Sequence, residues 1–550
     1  MISKYTIGVD FGTLSARAVL VRCADGYIAA EAALDYPHAV MSRVLAATGE
    51  VLPPDFALQD AQDYLDALYT VVPAVIRESG VSPEDIIGIG VDFTCCTMIP
   101  VDACDRPLSF DEKYAKNPHA YVKLWKHHAA QPYADLINKL AIERGEKWLP
   151  NYGNKISSEW LFPKIMEVLN CAPEIYEATD SFVEAGDWIT RLLTGKRVKA
   201  YVYSTAKAMY DYYDGYPGED FFASLDPRLE NVIEEKLNAE MVFSGQCVGN
   251  VCPEMAKRLG LSEKTVVAAP SPDAHVATVA LNMNKSGDMC AILGTSACFM
   301  LIGDELTHVR GISGVHKDSQ TPGFYGYEAG LCCFGDHFAW VAENVASAEY
   351  VKEAEERGIS ILKLLIEKAS VKKPGEAGLI ALNWWNGNRS VLVDSDLSGM
   401  ILGMDLRTKP EDIMRAIIEA NAFGTRLIIE TYEESGVKVN RLIAAGGIPK
   451  KDPFTMQLFA DVLKKDITIA SASQIPAVGC AVYAAAAAGM ELSEAMKNMS
   501  KVSSTVYSPN PESGAVYDKI YAEYKRLFDY FGRGENNVMK TLRAIRAEVK

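Results

Sequence analysis

Ile7-Gly8-Val9-Asp10-Phe11-Gly12-Thr13 and Ala18-Val19-Leu20-Val21 are short apolar runs joined by a tight polar bend. That composition predicts strand, turn, strand, with Gly12 and Thr13 at the bend. A second segment repeats the layout: Cys290-Ala291-Ile292-Leu293, then Gly294-Thr295-Ser296, then Cys298-Phe299-Met300-Leu301-Ile302. The two Gly-Thr bends lie about half the chain apart, which predicts two domains of like architecture. The small, polar Lys285-Ser286-Gly287 marks the link, dividing the chain into residues 1–284 and 285–550.

Working outward, each half alternates strand-like and helix-like stretches, the pattern of an α/β fold. Ala61, Tyr64, Leu65, Leu68, Val72 and Ile76 keep helical spacing, and Pro73 is expected to kink or end that helix. Ile86-Ile87-Gly88-Ile89-Gly90-Val91 reads as a buried strand that delivers Asp92-Phe93-Thr94 at its carboxyl end. In the second half, Thr408-x-x-Glu411 resembles a capping box opening a long helix that Gly436 closes. Leu442-Ile443-Ala444-Ala445 follows as a strand ending in Gly446-Gly447. Residues 130 to about 246, richer in Tyr, Trp and Pro, read as insertions that shape a pocket. Ala477 to Met490 is interrupted by Gly479 and Gly489 and falls short of the roughly 20 residues of a membrane span. It reads as a buried Ala-rich helix.

The 550 residues carry 55 Lys+Arg against 72 Asp+Glu, a net charge of −17, and are 49% hydrophobic. Several hydrophobic cores are within reach of such a chain. Its negative field repels a nucleic-acid backbone, so nucleic acid is excluded as an expected partner. The same field opposes an anionic nucleotide, so a phosphate site has to be built locally from backbone amides, a few cations and a metal. Twelve cysteines, with vicinal pairs at Cys95-Cys96 and Cys332-Cys333, suit reduced thiols and a cytoplasmic setting. No Cys-x-x-Cys occurs, which argues against structural zinc. The opening Met1-Ile2-Ser3-Lys4-Tyr5 lacks the apolar core of a secretion signal.

A bend presenting Gly12 and Thr13 can aim backbone amides and a hydroxyl at phosphate oxygens, while Asp10 beside it can hold magnesium. Gly294-Thr295-Ser296 offers the same from the other half. Asp10-Phe11-Gly12 and Ala172-Pro173-Glu174 mimic protein-kinase elements, but residue 10 leaves no room for a preceding nucleotide lobe and no His-Arg-Asp loop exists. No Gly-x4-Gly-Lys-Ser/Thr occurs, and Phe93 stands where a dinucleotide fingerprint starting at Gly88 needs its third glycine. Asp273, after the strand Thr265–Ala269 and the breaker Pro270-Ser271-Pro272, begins a helix. It reads either as a helix cap or as a carboxylate base that takes a proton from a substrate hydroxyl attacking phosphorus.

Val9-Asp10-Phe11-Gly12-Thr13-x-Ser15-x-Arg17, the Asp273 turn, Gly294-Thr295-Ser296 and Ala445-Gly446-Gly447 together resemble the FGGY carbohydrate kinases. Within that family, Asp92-Phe93-Thr94, Ile156-Ser157-Ser158-Glu159-Trp160, Lys207-Ala208-Met209, Tyr325-Gly326-Tyr327-Glu328-Ala329-Gly330 and Trp385-Asn386-Gly387-Asn388-Arg389 resemble the branch that phosphorylates ribulose. The likeness runs from residue 7 to about 490, and the tail beyond carries no motif. It implies two actin-like, ribonuclease H-like domains flanking a catalytic cleft, the first binding sugar and the second nucleotide. It also implies magnesium-dependent transfer of the γ-phosphate of ATP to the terminal C5 hydroxyl of ribulose, of L or D hand, in pentose breakdown such as that of L-arabinose. Other 2-ketopentoses or polyols are the alternative acceptors, and a homodimer is the family expectation.

By the same resemblance Asp273 is the base and Asp10 the magnesium carboxylate. Thr13 and Arg17 belong with Gly12 to the first phosphate loop, and Gly294 with Thr295 to the second. Gly446 and Gly447 approach the adenosine, Lys207, Glu328, Asp273 and the backbone at Cys95 hold the sugar, and Lys450 reads either as a further nucleotide contact or, with more weight, as an exposed solvated lysine. The chain departs from the family pattern at Cys95, where Gly or Ala is usual, at Leu331, where Gln is usual, and at Ser271-Pro272. The Met-His-Gly-like element of xylulose kinases and the Arg and Glu of glycerol kinases are missing from the loop after Val91. A non-catalytic actin-like ATP-binding scaffold is the reading from a different functional class, because a fold does not fix a function.

Overall fold

The structure, a computed structural model, describes residues 4–471, 474–500 and 502–549. Met1-Ile2-Ser3 of the opening read above lies outside them. The first sheet is built from Tyr5–Phe11 (β1), Ser15–Arg22 (β2), Ile28–Asp35 (β3), Ile86–Phe93 (β4), Cys247–Asn250 (β5), Val266–Ala268 (β6) and the two-residue Ser271–Pro272 (β7). Its order is β5-β6-β4-β1-β2-β3, with β7 pairing β4 beyond the end of β6. The second sheet uses Asp288–Leu293 (β8), Ala297–Gly303 (β9), Gly314–Lys317 (β10), Tyr325–Leu331 (β11), Arg441–Ala445 (β12), Ile467–Ala470 (β13) and Val502–Tyr507 (β14), in the order β10-β11-β9-β8-β12-β13-β14.

The two sheets repeat one plan. Three strands run as an antiparallel meander, β1-β2-β3 in one sheet and β8-β9-β11 in the other. Two parallel strands then extend each sheet from its first strand, β4 and β6 beside β1, and β12 and β13 beside β8. An antiparallel edge strand closes each set. The parallel strands, flanked by helices, are apolar on both faces, as Ile443, Ala444 and Ala445 show by being almost wholly buried. The tail that carried no motif supplies edge strand β14 and a long helix, whose Tyr517, Tyr521, Tyr524 and Phe528 join the second core.

Helix Ala61–Ser79 (α1) is capped by Asp60, whose carboxylate accepts from Gln62 N at 2.9 Å, and is closed by the left-handed Gly80. Of the two outcomes expected at Pro73, a kink or an end, the helix does not end there but runs on to Ser79. Val71, Val72, Ala74 and Val75 are buried on either side, and their packing offsets the missing backbone donor. Residues 130–246 are more regular than expected: short helices, including Tyr201–Lys207 (α2), surround a core of their own with Trp148, Trp160, Phe162 and Phe222.

Between the sheets lie Asp273–Ala280 (α3) and, from the other half of the chain, Ile475–Ala487 (α5); Pro410–Glu434 (α4) packs on the second sheet. The cap of α4 sits one residue later than Thr408: Lys409 N donates to the Asp412 carboxylate at 2.8 Å, because Pro410 fits the first helical position and Thr408 instead accepts from Asp405 N. Gly436 follows the end of α4 as expected. The Ala-rich α5 is buried as read, and it lies on the first sheet rather than its own. A Cβ on Gly90 of β4 would sit 2.5 Å from the carbonyl oxygen of Cys480, one on Gly88 2.6 Å from that of Ala484, and one on Gly8 would collide with that of Ala477. These glycines let the α5 backbone rest directly on the strands. Gly479 does the same where α5 crosses α3 at Val276. Among the described residues no helix is long and apolar enough to cross a membrane.

Candidate active site

Strands β1 and β4 run parallel with Asp10 opposite Asp92, so two carboxylates end side by side at the carboxyl edge of the first sheet. Phe11 and Phe93, one residue further on, stack at 4.3 Å beneath them. Asp10 is buried, and that burial raises its pKa above the ordinary carboxylate value against the pull of Asp92 and Arg17. Asp92 lies deeper still: burial and the charge of Asp10 push it well up, Cys480 Sγ of α5 donates to its Oδ2 at 2.9 Å, and its Oδ1 has no protein partner. Arg17, opposite Asp10 across β1 and β2, stands 3.8 Å from that carboxylate.

The first bend closes with Gly12 N donating to Ser15 O at 3.0 Å, and Trp125 Nε1 donates to Thr13 Oγ1 at 3.2 Å. The second bend repeats this closure, Gly294 N to Ser296 O at 3.0 Å, and leaves Gly294 and Thr295 exposed. Gly446 adopts φ +111°, and a Cβ there would strike the Leu293 carbonyl, so only glycine fits between β12 and the second bend. Gly447 opens the short helix Gly447–Lys451, with free space where its Cβ would be. Lys450 is exposed, and its Nζ donates to Ser471 O at 2.9 Å.

Asp273 is the first residue of α3, reached from β7 beside Asp92. Its Oδ1 accepts only from the next amide, Ala274 N, at 2.7 Å, so it makes no N-cap bond to the later amides of the turn. Burial chiefly, then the charges of Asp10 and Glu328, push this carboxyl up to about 7. Lys207, at the end of α2, crosses to the second sheet and donates to Glu328 Oε2 of β11 at 2.8 Å. Burial opposes the charge on both, yet the pairing wins: Lys207 is raised to about 12 and Glu328 held well below the usual carboxylate range. Cys298, near the second bend, feels the charges of Arg389, Glu328, Asp273 and Lys207, which places these four groups around one point of the cleft.

Cys95 follows β4 on a turn where Cys96 takes the left-handed φ of +62°. Buried Lys164 fixes that turn by donating to the carbonyls of Cys96 at 2.6 Å and Leu124 at 2.9 Å, while Glu184 Oε2 accepts from Thr97 N at 2.9 Å. Sequence reasoning missed Lys164 and Glu184, which look like ordinary surface residues in a helix and a strand end. It quoted Asp92 without giving it chemistry, although Val9-Asp10-Phe11 and Val91-Asp92-Phe93 are one tripeptide used twice.

Residues 5–280 match the N-terminal domain and residues 289–488 the C-terminal domain of the FGGY family of carbohydrate kinases. The chain belongs to the FGGY family of carbohydrate kinases. This kinase is 48% identical over 553 residues to the ribulokinase of Halalkalibacterium halodurans, spanning 100% of the chain and 98% of the relative. It is 49% identical over 550 residues to that of Geobacillus thermodenitrificans, covering 99% and 97%. Among solved structures it superposes on a xylulose kinase from Rhodospirillum rubrum with a TM-score of 0.77 at 20% identity, over 96% and 98% of the two chains. A gluconate kinase from Lactobacillus acidophilus gives 0.79 at 18%, over 97% and 99%. The fold is therefore the actin-like fold of the sugar kinases, and the kinase is an ATP-dependent phosphotransferase acting on a sugar.

Proposed function

We propose that this kinase is a ribulokinase, transferring the γ-phosphoryl group of ATP to the C5 hydroxyl of ribulose, with L-ribulose from L-arabinose breakdown as its natural acceptor. The observation that carries the substrate is identity of nearly half the residues, end to end, with proteins named ribulokinase. Residues 1–284 form the sugar-binding half in this reading and residues 285–550 the nucleotide half. The twelve free cysteines support a reducing, cytoplasmic setting.

Asp273 is the general base. A carboxyl near 7 is basic enough to accept the C5 hydroxyl proton as that oxygen attacks phosphorus, and is about half ionised at neutral pH. Lys207 and Glu328 hold sugar hydroxyls in a water-poor cleft, where a sugar of the wrong pattern leaves a buried polar group unpaired. The exposed second bend at Gly294 and Thr295 and the hydroxyl of Thr13 face the phosphates, and the Gly446-Gly447 turn lets backbone approach the adenosine. Asp10 would hold Mg²⁺: its carboxylate and the Oδ1 of Asp92, which has no hydrogen-bond partner among the described residues, are the hard oxygen donors such an ion requires. When bound, the ion offsets triphosphate charge that the acidic cleft would otherwise repel.

The test is an ADP-release assay with purified protein over ribulose of both hands, other ketopentoses, pentitols, gluconate and glycerol. Release that depends on ribulose and exceeds that with every other acceptor is the expected result. Preference for another acceptor, or ATP hydrolysis indifferent to any sugar as a scaffold would show, overturns the reading.

A further inference from the structure

Two hydrogen bonds of the His275 ring set which of its nitrogens carry protons. His275 stands in the first turn of α3, two residues after Asp273, and is 3% exposed. Its Nδ1 lies 2.6 Å from the backbone carbonyl oxygen of Ser319, which can only accept, so Nδ1 carries a proton. Its Nε2 lies 3.1 Å from Glu328 Oε2. Glu328 is ionised, because the neighbouring ammonium of Lys207 outweighs the effect of burial, so this oxygen also only accepts and Nε2 also carries a proton. A neutral ring would turn a nitrogen lone pair on an oxygen in a site closed to water, at the cost of an unmade buried hydrogen bond.

We propose that His275 is a positioning residue of the sugar site, an imidazolium that clamps Glu328 Oε2 together with Lys207 and leaves Oε1 as the single free acceptor for a sugar hydroxyl. The proposal rests on the reading that Lys207 and Glu328 bind the ketose. Both cations converge on one oxygen, Lys207 Nζ at 2.8 Å and His275 Nε2 at 3.1 Å, and among the described residues no donor reaches Oε1. Glu328 is also the residue left partly open to the cleft, whereas Lys207 and His275 are buried. The clamp therefore sets which face of the carboxylate the sugar meets. The groups around His275 are Glu328 of β11, Lys207 of α2, Asp273 of its own helix and His316 of β10. Burial and the charge of Lys207 push His316 down to about 3, so it stays neutral and does not compete for Glu328.

Two measurements test the proposal. In the wild-type protein with ¹⁵N-labelled histidine, the His275 signals, assigned by their loss in a His275→Gln variant among eight histidines, should show protons on both ring nitrogens at pH 7. In steady state, His275→Leu should raise KM for the accepted sugar at least about 10-fold, the effect of one lost charge-assisted hydrogen bond, with KM for ATP unchanged within about 2-fold. His275→Gln, whose amide still donates to Glu328, should recover part of that loss. A single protonated ring nitrogen in the wild type overturns the proposal, even where the Leu variant does not fold. So does a folded Leu variant with an unaltered sugar KM. Both readouts use whichever sugar the wild type accepts, so failure of ribulose as acceptor sinks the proposed substrate without deciding the clamp.

Discussion

Asp273 combines two properties that pull against each other: it must be ionised to act as a base, and its surroundings resist ionisation, with a carboxyl pushed up to about 7. Asp273→Asn keeps the size and removes the basicity, so kcat should fall at least about 10²-fold with the fold intact. Because the wild type needs the ionised form, kcat/KM should drop as pH falls below about 7, with a limb that the Asn variant loses. The stability effect has the opposite sign. A carboxyl raised in the folded protein favours folding below its unfolded value of 3.8 and loses that contribution as pH rises through about 7. The Asn variant should therefore melt above the wild type at pH 8, by roughly 2–4 °C per 1 kcal/mol recovered, and the gap should close toward pH 4. A variant whose advantage over the wild type is no greater at pH 8 than at pH 4 would contradict the raised value. At this scale the sequence identified Asp10, Asp273, Lys207 and Glu328 through motifs. It was silent on Lys164, Glu184 and His275, whose partners are backbone carbonyls, amides and side chains brought from distant segments.

Between elements, the two Gly-Thr bends were legible because a hairpin is local: apolar run, bend and apolar run adjoin in the chain. The seat of α5 on the first sheet was not, since its signature is three strand glycines whose reason lies several hundred residues away, as the Asp92–Cys480 contact across 388 residues illustrates. Gly88 and Gly90 looked like a broken nucleotide fingerprint, and they are the seat of a helix. Gly90→Ala should cost about 1–3 kcal/mol, the range for overpacking, because its methyl group meets backbone rather than a movable side chain. Denaturant unfolding measures this, and a loss under about 0.5 kcal/mol would show that α5 does not sit on β4 as described. Substitution at Gly49, where a Cβ meets nothing, tests only the left-handed conformation and serves as the comparison.

For the whole molecule, duplication was the most legible feature, because two copies of one bend at half-chain spacing predict two similar sheets before any packing is known. What remained hidden is that each half lends a helix to the other: α5 of the second half covers the first sheet, and α3 of the first half packs with Cys290, Met300 and Ile443 of the second. The site straddles this exchange. Asp10 and Asp273 come from one half, Gly294, Glu328 and Gly446 from the other, so a hinge motion at the crossed helices would move the phosphate bends and the proposed base relative to each other. Sugar binding that closes the cleft would expel water that otherwise hydrolyses ATP. The most direct measurement is a crystal structure with ribulose and a non-hydrolysable ATP analogue bound. The account predicts the Asp273 carboxylate within about 3 Å of the C5 hydroxyl, with that oxygen in line with the γ-phosphorus held between the Thr13 and Thr295 bends. A sugar bound with C5 turned away from Asp273, or a triphosphate away from both bends, would contradict it.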